Sequence, residues 1–261
     1  MYVANTNRYD NTIYNRCGRS GLVLPRISLG MWQNFVKNAD YDTMKDIILT
    51  AFDHGITYFD LANNYGPDPG QAEINFGKIF NENLKPYRDE IIIATKAGYE
   101  MWPGPYGGRG GSRKYLTASL DPDTPLKETA LCMSDIVRQG KSLYIGMSNY
   151  DGKKMHRMYH KCDDYNVPFV VNQNRYNILD RQVEYNSLKK ECFSKHKGLV
   201  AFSPLAQGRL SDKFKNGIPE SSRLYGKPDY CKSIGLDDAQ LQYISSLCEI
   251  ADKRGETLSQ M

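Results

Sequence analysis

Short apolar runs that end in polar or charged residues recur along this 261-residue chain, with amphipathic helical segments between them. No other feature constrains the fold as tightly. Parallel strands are joined only through long crossovers, so alternation of strand and helix signals points to a parallel α/β sheet. The strand candidates are Ile27–Leu29, Thr57–Phe59, Ile91–Thr95, Leu143–Met147, Phe169–Asn172 and Leu199–Phe202, after an N-terminal hairpin over Ile13–Cys17 and Leu22–Leu24. Helical faces recur at three-to-four spacing: Met44, Ile47, Ile48, Ala51 and Phe52; Ala72, Phe76, Ile79 and Phe80; Leu241, Ile244, Leu247, Cys248 and Ala251. Turn residues fall between them at Gly55, Gly66-Pro67, Gly140 and Gly198, and His54 sits where the first helix should end. One place breaks the rhythm. Ser112–Leu120 opens a helix and Thr124–Gln139 reads as another, capped by Thr124 with Pro125 behind it, and only Asp121-Pro122-Asp123 separates them. The count is therefore six strands where a closed (β/α) barrel needs eight.

The chemistry-bearing residues stand at the ends of the apolar runs. Thr57-Tyr58-Phe59 leads into Asp60, Ile91-Ile92-Ile93-Ala94-Thr95 leads into Lys96, and Tyr65 comes after Asp60 in the loop Leu61-Ala62-Asn63-Asn64-Tyr65-Gly66. Barrel enzymes place their catalytic groups at such strand ends. A phenol beside an ammonium has its pKa lowered and can donate a proton near neutral pH, and a carboxylate beside that ammonium holds it in place. Together the three suit proton donation to a carbonyl.

Phe59-Asp60-Leu61-Ala62-Asn63-Asn64-Tyr65-Gly66 with Thr95-Lys96-Ala97-Gly98 resembles the aldo-keto reductase family, and the resemblance runs in order from about Tyr14 to the C-terminus. It implies a (β/α)8 TIM barrel, here incomplete, with NADPH at its C-terminal mouth and aldehyde or ketone reduction by hydride transfer. On that resemblance Tyr65 is the proton donor, tuned by Lys96, which pairs with Asp60. Met147-Ser148-Asn149-Tyr150 is similar to the segment where Ser148 and Asn149 meet the nicotinamide carboxamide, and Gln173 after Asn172 does the same. Phe202-Ser203-Pro204-Leu205-Ala206-Gln207-Gly208 resembles the pyrophosphate turn, with Phe202 stacked on the nicotinamide and backbone N–H groups on phosphate. Lys213 and Arg223 match positions that neutralise cofactor phosphates, and Trp32 matches a wall of the pocket. The stretch from Lys96 through Met101-Trp102-Pro103 to Tyr115 looks like the glyceraldehyde-3-phosphate reductase branch, close to potassium-channel β subunits. There Trp102, Arg109, Arg113 and Lys114 would suit a phosphorylated aldehyde.

Other functions are excluded more simply. A net charge of +4 without a Lys/Arg block makes nucleic acid a poor partner. No run approaches the ~20 apolar residues of a membrane helix, and no signal peptide is evident. The six cysteines show no C-x-x-C spacing and read as reduced cytoplasmic thiols. His156 and His160 lie four apart without a third ligand in register, so they read as a solvated face and no metal is expected. A homo-oligomer stays open.

The resemblance also exposes a gap. Ala118-Ser119-Leu120-Asp121 matches the middle of one helix, and Pro122-Asp123-Thr124-Pro125-Leu126 matches the stretch beyond the next strand. The strand between, with the family's catalytic histidine, has no counterpart. A single barrel domain over 1–261, internally deleted near 121–123 and truncated at 261, is the expectation. Two functions compete: an impaired NADPH-dependent aldehyde reductase, and a catalytically silent nucleotide-binding or regulatory relative.

Overall fold

The computed structural model describes residues 2–66, 68–97, 124–222, 224–233 and 235–261. Among them, chain order runs β1 (Tyr14–Arg16), β2 (Val23–Pro25), β3 (Leu29–Gly30), α1 (Tyr41–Asp53), β4 (Tyr58–Asp60), α2 (Gln71–Ile79), β5 (Ile92–Ala94), α3 (Leu126–Arg138), β6 (Ile145–Ser148), α4 (Gly152–Asp164), β7 (Phe169–Arg175), α5 (Gln182–Tyr185), α6 (Leu188–Ser194), β8 (Gly198–Phe202), α7 (Pro228–Ser233) and α8 (Asp238–Lys253). β1 and β2 form the expected antiparallel hairpin, with Asn15 opposite Leu24. The other six strands form two three-stranded sheets, ordered β3-β4-β5 and β6-β7-β8. The pairs β3–β4, β4–β5 and β6–β7 are all parallel. All six strands correspond to runs named from the sequence. Among the described residues the pairing stops at β5 and resumes at β6, the place where the sequence lacks a strand signal.

The boundaries move for physical reasons. Ile27, expected in β3, is 70% exposed, and Leu143, expected in β6, is 79% exposed; both precede the paired residues. Asp60 itself is the last residue of β4, opposite Gly30 and Ala94, so its carboxylate is positioned by sheet pairing and not by a loop. The cap of α3 falls on Pro125 (φ −58°, ψ 131°) and not on Thr124, because a residue with no N–H is at no disadvantage ahead of the first turn. Other helix starts carry side-chain caps. Asp40 accepts from Thr43 N at 2.7 Å, Asp151 from Lys154 N at 2.7 Å and Asp237 from Gln240 N at 2.8 Å, each typically worth about 1 kcal/mol. His54 takes the C-cap of α1 as expected, its N–H reaching Thr50 O and Ala51 O.

Contacts divide the chain into two compact units: Met1–Gln173 with Asn186–Val200, and Asn174–Tyr185 with Ala201–Met261. In the first, Met44, Ile48 and Phe52 of α1 and Ala72, Phe76 and Ile79 of α2 pack with Met31, Phe59 and Ile91. Each fully buried large side chain there contributes roughly 1.5–3 kcal/mol. Ile47, placed on the buried face from the sequence, is instead 37% exposed at the edge of the stripe. The second unit has its own core, in which Ile244, Leu247, Cys248 and Ala251 of α8 meet Leu210, Phe214 and Leu236. All six cysteines are buried and outside any disulfide, and burial pushes the thiols of Cys162 and Cys192 up to about 12 and about 11.

Gly198 is required by close approach and not by a turn. It opens β8, and a Cβ there would stand 2.4 Å from Cys17 Sγ. Gly198→Ala should destabilise the protein by about 1–3 kcal/mol, read as a lower urea midpoint. Cys17→Ala in the same chain should return part of that loss. A double-mutant cycle with additive effects would show that the two residues do not compete for this space.

Candidate active site

β4 and β5 build the centre of the site. Their register places Asp60 opposite Ala94, and the ladder continues beyond the strands: Leu61 N donates to Ala94 O and Asn63 N donates to Lys96 O, both at 2.8 Å. The loop then turns back, with Tyr65 N on Ala62 O at 3.0 Å and Ala72 N of α2 on Tyr65 O at 3.2 Å. Backbone bonds on both sides therefore hold the backbone of Asp60, Lys96 and Tyr65 in place.

The side chains converge. Lys96 Nζ donates to Asp60 Oδ2 and to Leu61 O, each at 2.7 Å, and stands 5.0 Å from the centroid of the Tyr65 ring. The ion pair is largely enclosed, with the lysine side chain 15% and the aspartate side chain 10% exposed. Burial lowers the Lys96 pKa, and the neighbouring Asp60 charge opposes that shift. Asp60 Oδ1 accepts from Gln173 Nε2 at 3.0 Å. Gln173 in turn lies opposite Ser148 in the β6–β7 register, its carbonyl accepts from Asn149 N at 3.0 Å, and Asn172 beside it is fully buried. Asn149 adopts a left-handed conformation (φ 61°) that turns the chain sharply at the end of β6.

Trp32 lies 55% exposed on the wall of an open cleft of about 740 Å³ that also includes Val36, Met44 and Gly66, the residue after Tyr65. Within the second unit, Ser203, Ala206 and Gln207 are left-handed (φ 53°, 49° and 61°), and Gly208 comes next at φ 90°. Short backbone bonds close this turn, with Ala206 N on Ser203 O and Gly208 N on Leu205 O, both 2.9 Å. Leu205 is 38% exposed and Ala206 is buried. Lys213 is exposed, with its ammonium 5.9 Å from the ring centroid of Phe214. The Phe202 ring has the Arg175 guanidinium 5.8 Å from its centroid. Trp102, Arg109, Arg113, Lys114 and Arg223 lie outside the described residues, as do the helix opening at 112–120 and the junction at 121–123.

Two features of the site are not visible in the sequence. The resemblance directs Gln173 to a nicotinamide amide, whereas here its amide nitrogen is engaged by Asp60. Nothing in the linear order of residues brings β7 and β4 together. Tyr58 reads as a strand residue, but it is buried, and burial together with the Asp60 charge keeps its phenol protonated well above the ordinary tyrosine range. The four histidines sit elsewhere: His54 caps α1, His156 Nδ1 is 3.1 Å from Glu191 Oε2, His160 packs edge-on to His156, and the His196 carbonyl accepts from Arg19 N at 3.0 Å. Among the described residues no cluster of three metal-ligating side chains occurs, and no helix is long and apolar enough to cross a membrane.

A family model described as "Aldo/keto reductase family" matches residues 26–122 and 112–261. The L-glyceraldehyde 3-phosphate reductase of Escherichia coli K12 is 42% identical over 284 aligned residues, covering all of this chain and 82% of that protein. A probable voltage-gated potassium channel subunit beta of Arabidopsis thaliana is 32% identical over 275 residues, covering 95% of this chain and 81% of that one. Among solved structures, a thermostable aldo-keto reductase in complex with the inhibitor epalrestat superposes with a TM-score of 0.63 at 25% identity, covering 90% of this chain and 99% of that one.

Asp60→Asn tests the electrostatics directly. Removing the carboxylate removes what holds the Lys96 proton against burial, so the Lys96 pKa should fall further, read from its Cε carbon shift during a pH titration. The folded chain would then release this proton at lower pH than the unfolded chain, so stability should rise with pH across the interval between the two pKa values. An unchanged Lys96 titration would mean that Asp60 does not govern it.

Proposed function

The chain belongs to the aldo/keto reductase family, and from that premise we propose an NADPH-dependent reduction of a small aldehyde, including a phosphorylated one, to an alcohol. The observation that carries this reading is the Lys96 ammonium, enclosed between the Asp60 carboxylate and the Tyr65 ring. Members of this family generally use NAD(P)H, and the residues present suit such a group. Gln173 spends its amide nitrogen on Asp60 and keeps a carbonyl oxygen that a carboxamide N–H could meet, with the Ser148 hydroxyl on the neighbouring strand. The Asn64 Oδ1 atom, in the loop beside Tyr65, is buried without a hydrogen-bond partner among the described residues, which suits a polar ligand at this loop. Ser203 to Gly208 form the kind of left-handed turn whose backbone N–H groups favour phosphate.

A bound nicotinamide supplies the hydride; the protein supplies the proton and the geometry. Tyr65 is the group to protonate the developing alkoxide, because the nearby ammonium stabilises its phenolate form. Asp60 favours the charged form of Lys96 against burial, and Leu61 O holds its orientation. Trp32 stands on the wall of the cleft that reaches Gly66, the residue after Tyr65, where it would offer an aromatic face to an aldehyde. A cytoplasmic setting fits six thiols that form no disulfide.

A second reading has its own support. Each of the four histidines is placed away from Asp60 and Lys96, the alignment to the bacterial reductase runs over 284 residues against this chain's 261, and the family match comes in two pieces that meet at 112–122. An internal deletion that removed one strand and its histidine accounts for all three. Turnover would then be impaired while nucleotide binding persists, which is also the behaviour expected of a silent, regulatory relative.

Tyr65→Phe separates proton donation from binding. Any aldehyde reduction should fall by about 10²–10⁴-fold, while nucleotide affinity by fluorescence titration should stay nearly constant. Equal loss of both would remove Tyr65 from the donor role. Grafting the absent strand and its histidine from the bacterial relative should raise kcat by a similar factor. If the graft leaves kcat where it was, the deletion is not what limits turnover.

A further inference from the structure

Positive charge is gathered on one face of the first unit. The hairpin 14–25 carries Arg16 and Arg19 and no carboxylate. The segment 151–164, which is α4 with its cap, carries four cations against three carboxylates. The segment 188–197, which is α6 with the turn after it, carries four lysines against Glu191. Together these three segments sum to +6 while the whole chain sums to +4, so all remaining residues sum to −2. Charge segregated in this way makes a local field larger than the net charge suggests.

Packing joins the three segments into one surface. Gly152 N donates to Asn186 O at 3.0 Å, and a Cβ on Gly152 would stand 2.6 Å from the backbone carbon of Ser187, so the start of α4 abuts the start of α6. Further along, His156 Nδ1 meets Glu191 Oε2 at 3.1 Å, and the Lys195 and Lys197 ammoniums stand 4.9 and 5.2 Å from the centroid of the Tyr159 ring. Arg19 N donates to His196 O at 3.0 Å, which brings the hairpin turn against the end of the same face. Met155, Met158 and Cys162 turn inward, so helical spacing leaves Lys153 and Arg157 on the outward side of α4. The carboxylates are mostly engaged locally: Asp151 caps α4 through Lys154 N, Asp164 accepts from Lys161 Nζ at 2.7 Å, and Glu191 faces His156. Phe193 stands three residues after the exposed Lys190 on α6 and is 84% exposed.

We propose that the outward face of α4 and α6, with the adjoining hairpin turn, is a docking surface for an anionic lipid membrane. Its cations meet the headgroups, and the Phe193 ring enters the boundary with the acyl chains. Charge complementarity selects the sign of the partner, and the arrangement selects its form. Most of these cations are lysines, whose compact ammonium groups act as point charges and lack the planar fork that fits one carboxylate in one orientation. Phe193 protrudes among them and is not seated in a groove. A planar anionic surface with an apolar layer beneath it satisfies both features, whereas an acidic protein would also need a recess for the ring. None of these residues belongs to the Asp60, Lys96 and Tyr65 site, and docking is independent of whether the chain turns over an aldehyde.

Co-sedimentation of the full chain with vesicles of phosphatidylcholine and phosphatidylserine, beside vesicles of phosphatidylcholine alone, tests it. Binding should require phosphatidylserine and fall steeply as salt rises. Lys153→Gln, Arg157→Gln and Lys190→Gln should each lower the partition coefficient about fivefold. Lys85→Gln removes the same charge from an exposed position outside this face and should leave partitioning nearly unchanged. Phe193→Ala should weaken binding about tenfold, and Phe193→Trp should gain emission that brominated acyl chains quench. All of these positions are exposed, so the variants should fold as the wild type does. Equal binding to neutral vesicles, an equal loss in Lys85→Gln, or a Phe193→Ala variant that binds as the wild type does overturns the proposal. Full competition by soluble polyglutamate together with that last result would assign the face to an acidic protein.

Discussion

A lysine ammonium taken out of water needs a carboxylate, and much of the first unit is arranged around meeting that need. Asp60 is fixed by pairing with β3 and β5 at once, so its carboxylate has little freedom to move away from Lys96. The loop after it is pinned by bonds to Ala94 and Lys96, and it carries Tyr65 back against the ammonium. Gln173 brings β7 to the far oxygen of the same carboxylate. Removing either partner of such an enclosed pair leaves a buried charge and typically costs about 3–5 kcal/mol. That penalty ties the chemistry of the site to the integrity of the sheet: the residues proposed to act on the aldehyde are also those that close this end of the fold.

The functional consequence is a division of labour along the chain. Asp60, Lys96 and Tyr65 are held by local backbone bonds within β4, β5 and the loop between β4 and α2, and none of those bonds involves the region around 121–123. The polar set Ser148, Asn149 and Gln173 belongs to the other three-stranded sheet, built on β6 and β7. The internal deletion proposed between β5 and β6 would therefore spare both halves of the constellation individually. Such a deletion would remove only what the strand itself carried, the histidine on the reading proposed above. On that proposal, the geometry of binding and the completeness of catalysis would be separable properties.

The sequence made the strands legible because their signal is local. Six apolar runs correspond to six strands, and Asp60 and Lys96 could be placed at sheet ends from the runs before them. The buried stripes of α1, α2 and α8 were equally plain, since helical spacing is a short-range property. What escaped was set by distance in the fold. Gly198 looks like a turn residue until Cys17 is found against it, far away in sequence. Gln173 reads as a free amide until Asp60 is found beside it. Edges drifted for a related reason: Ile27 and Leu143 have apolar side chains that stay largely exposed among the described residues.

The buried thiols have a use beyond their setting. A cysteine whose sulfur is covered cannot react with an alkylating reagent while the surrounding structure stays shut, so each buried thiol acts as a clock that runs only during opening. Cys17, Cys132, Cys162 and Cys192 belong to the first unit, and Cys231 and Cys248 to the second. The chain thus contains its own two-channel recorder. The order in which the two sets acquire label under native conditions would date the opening of each unit without any engineered probe.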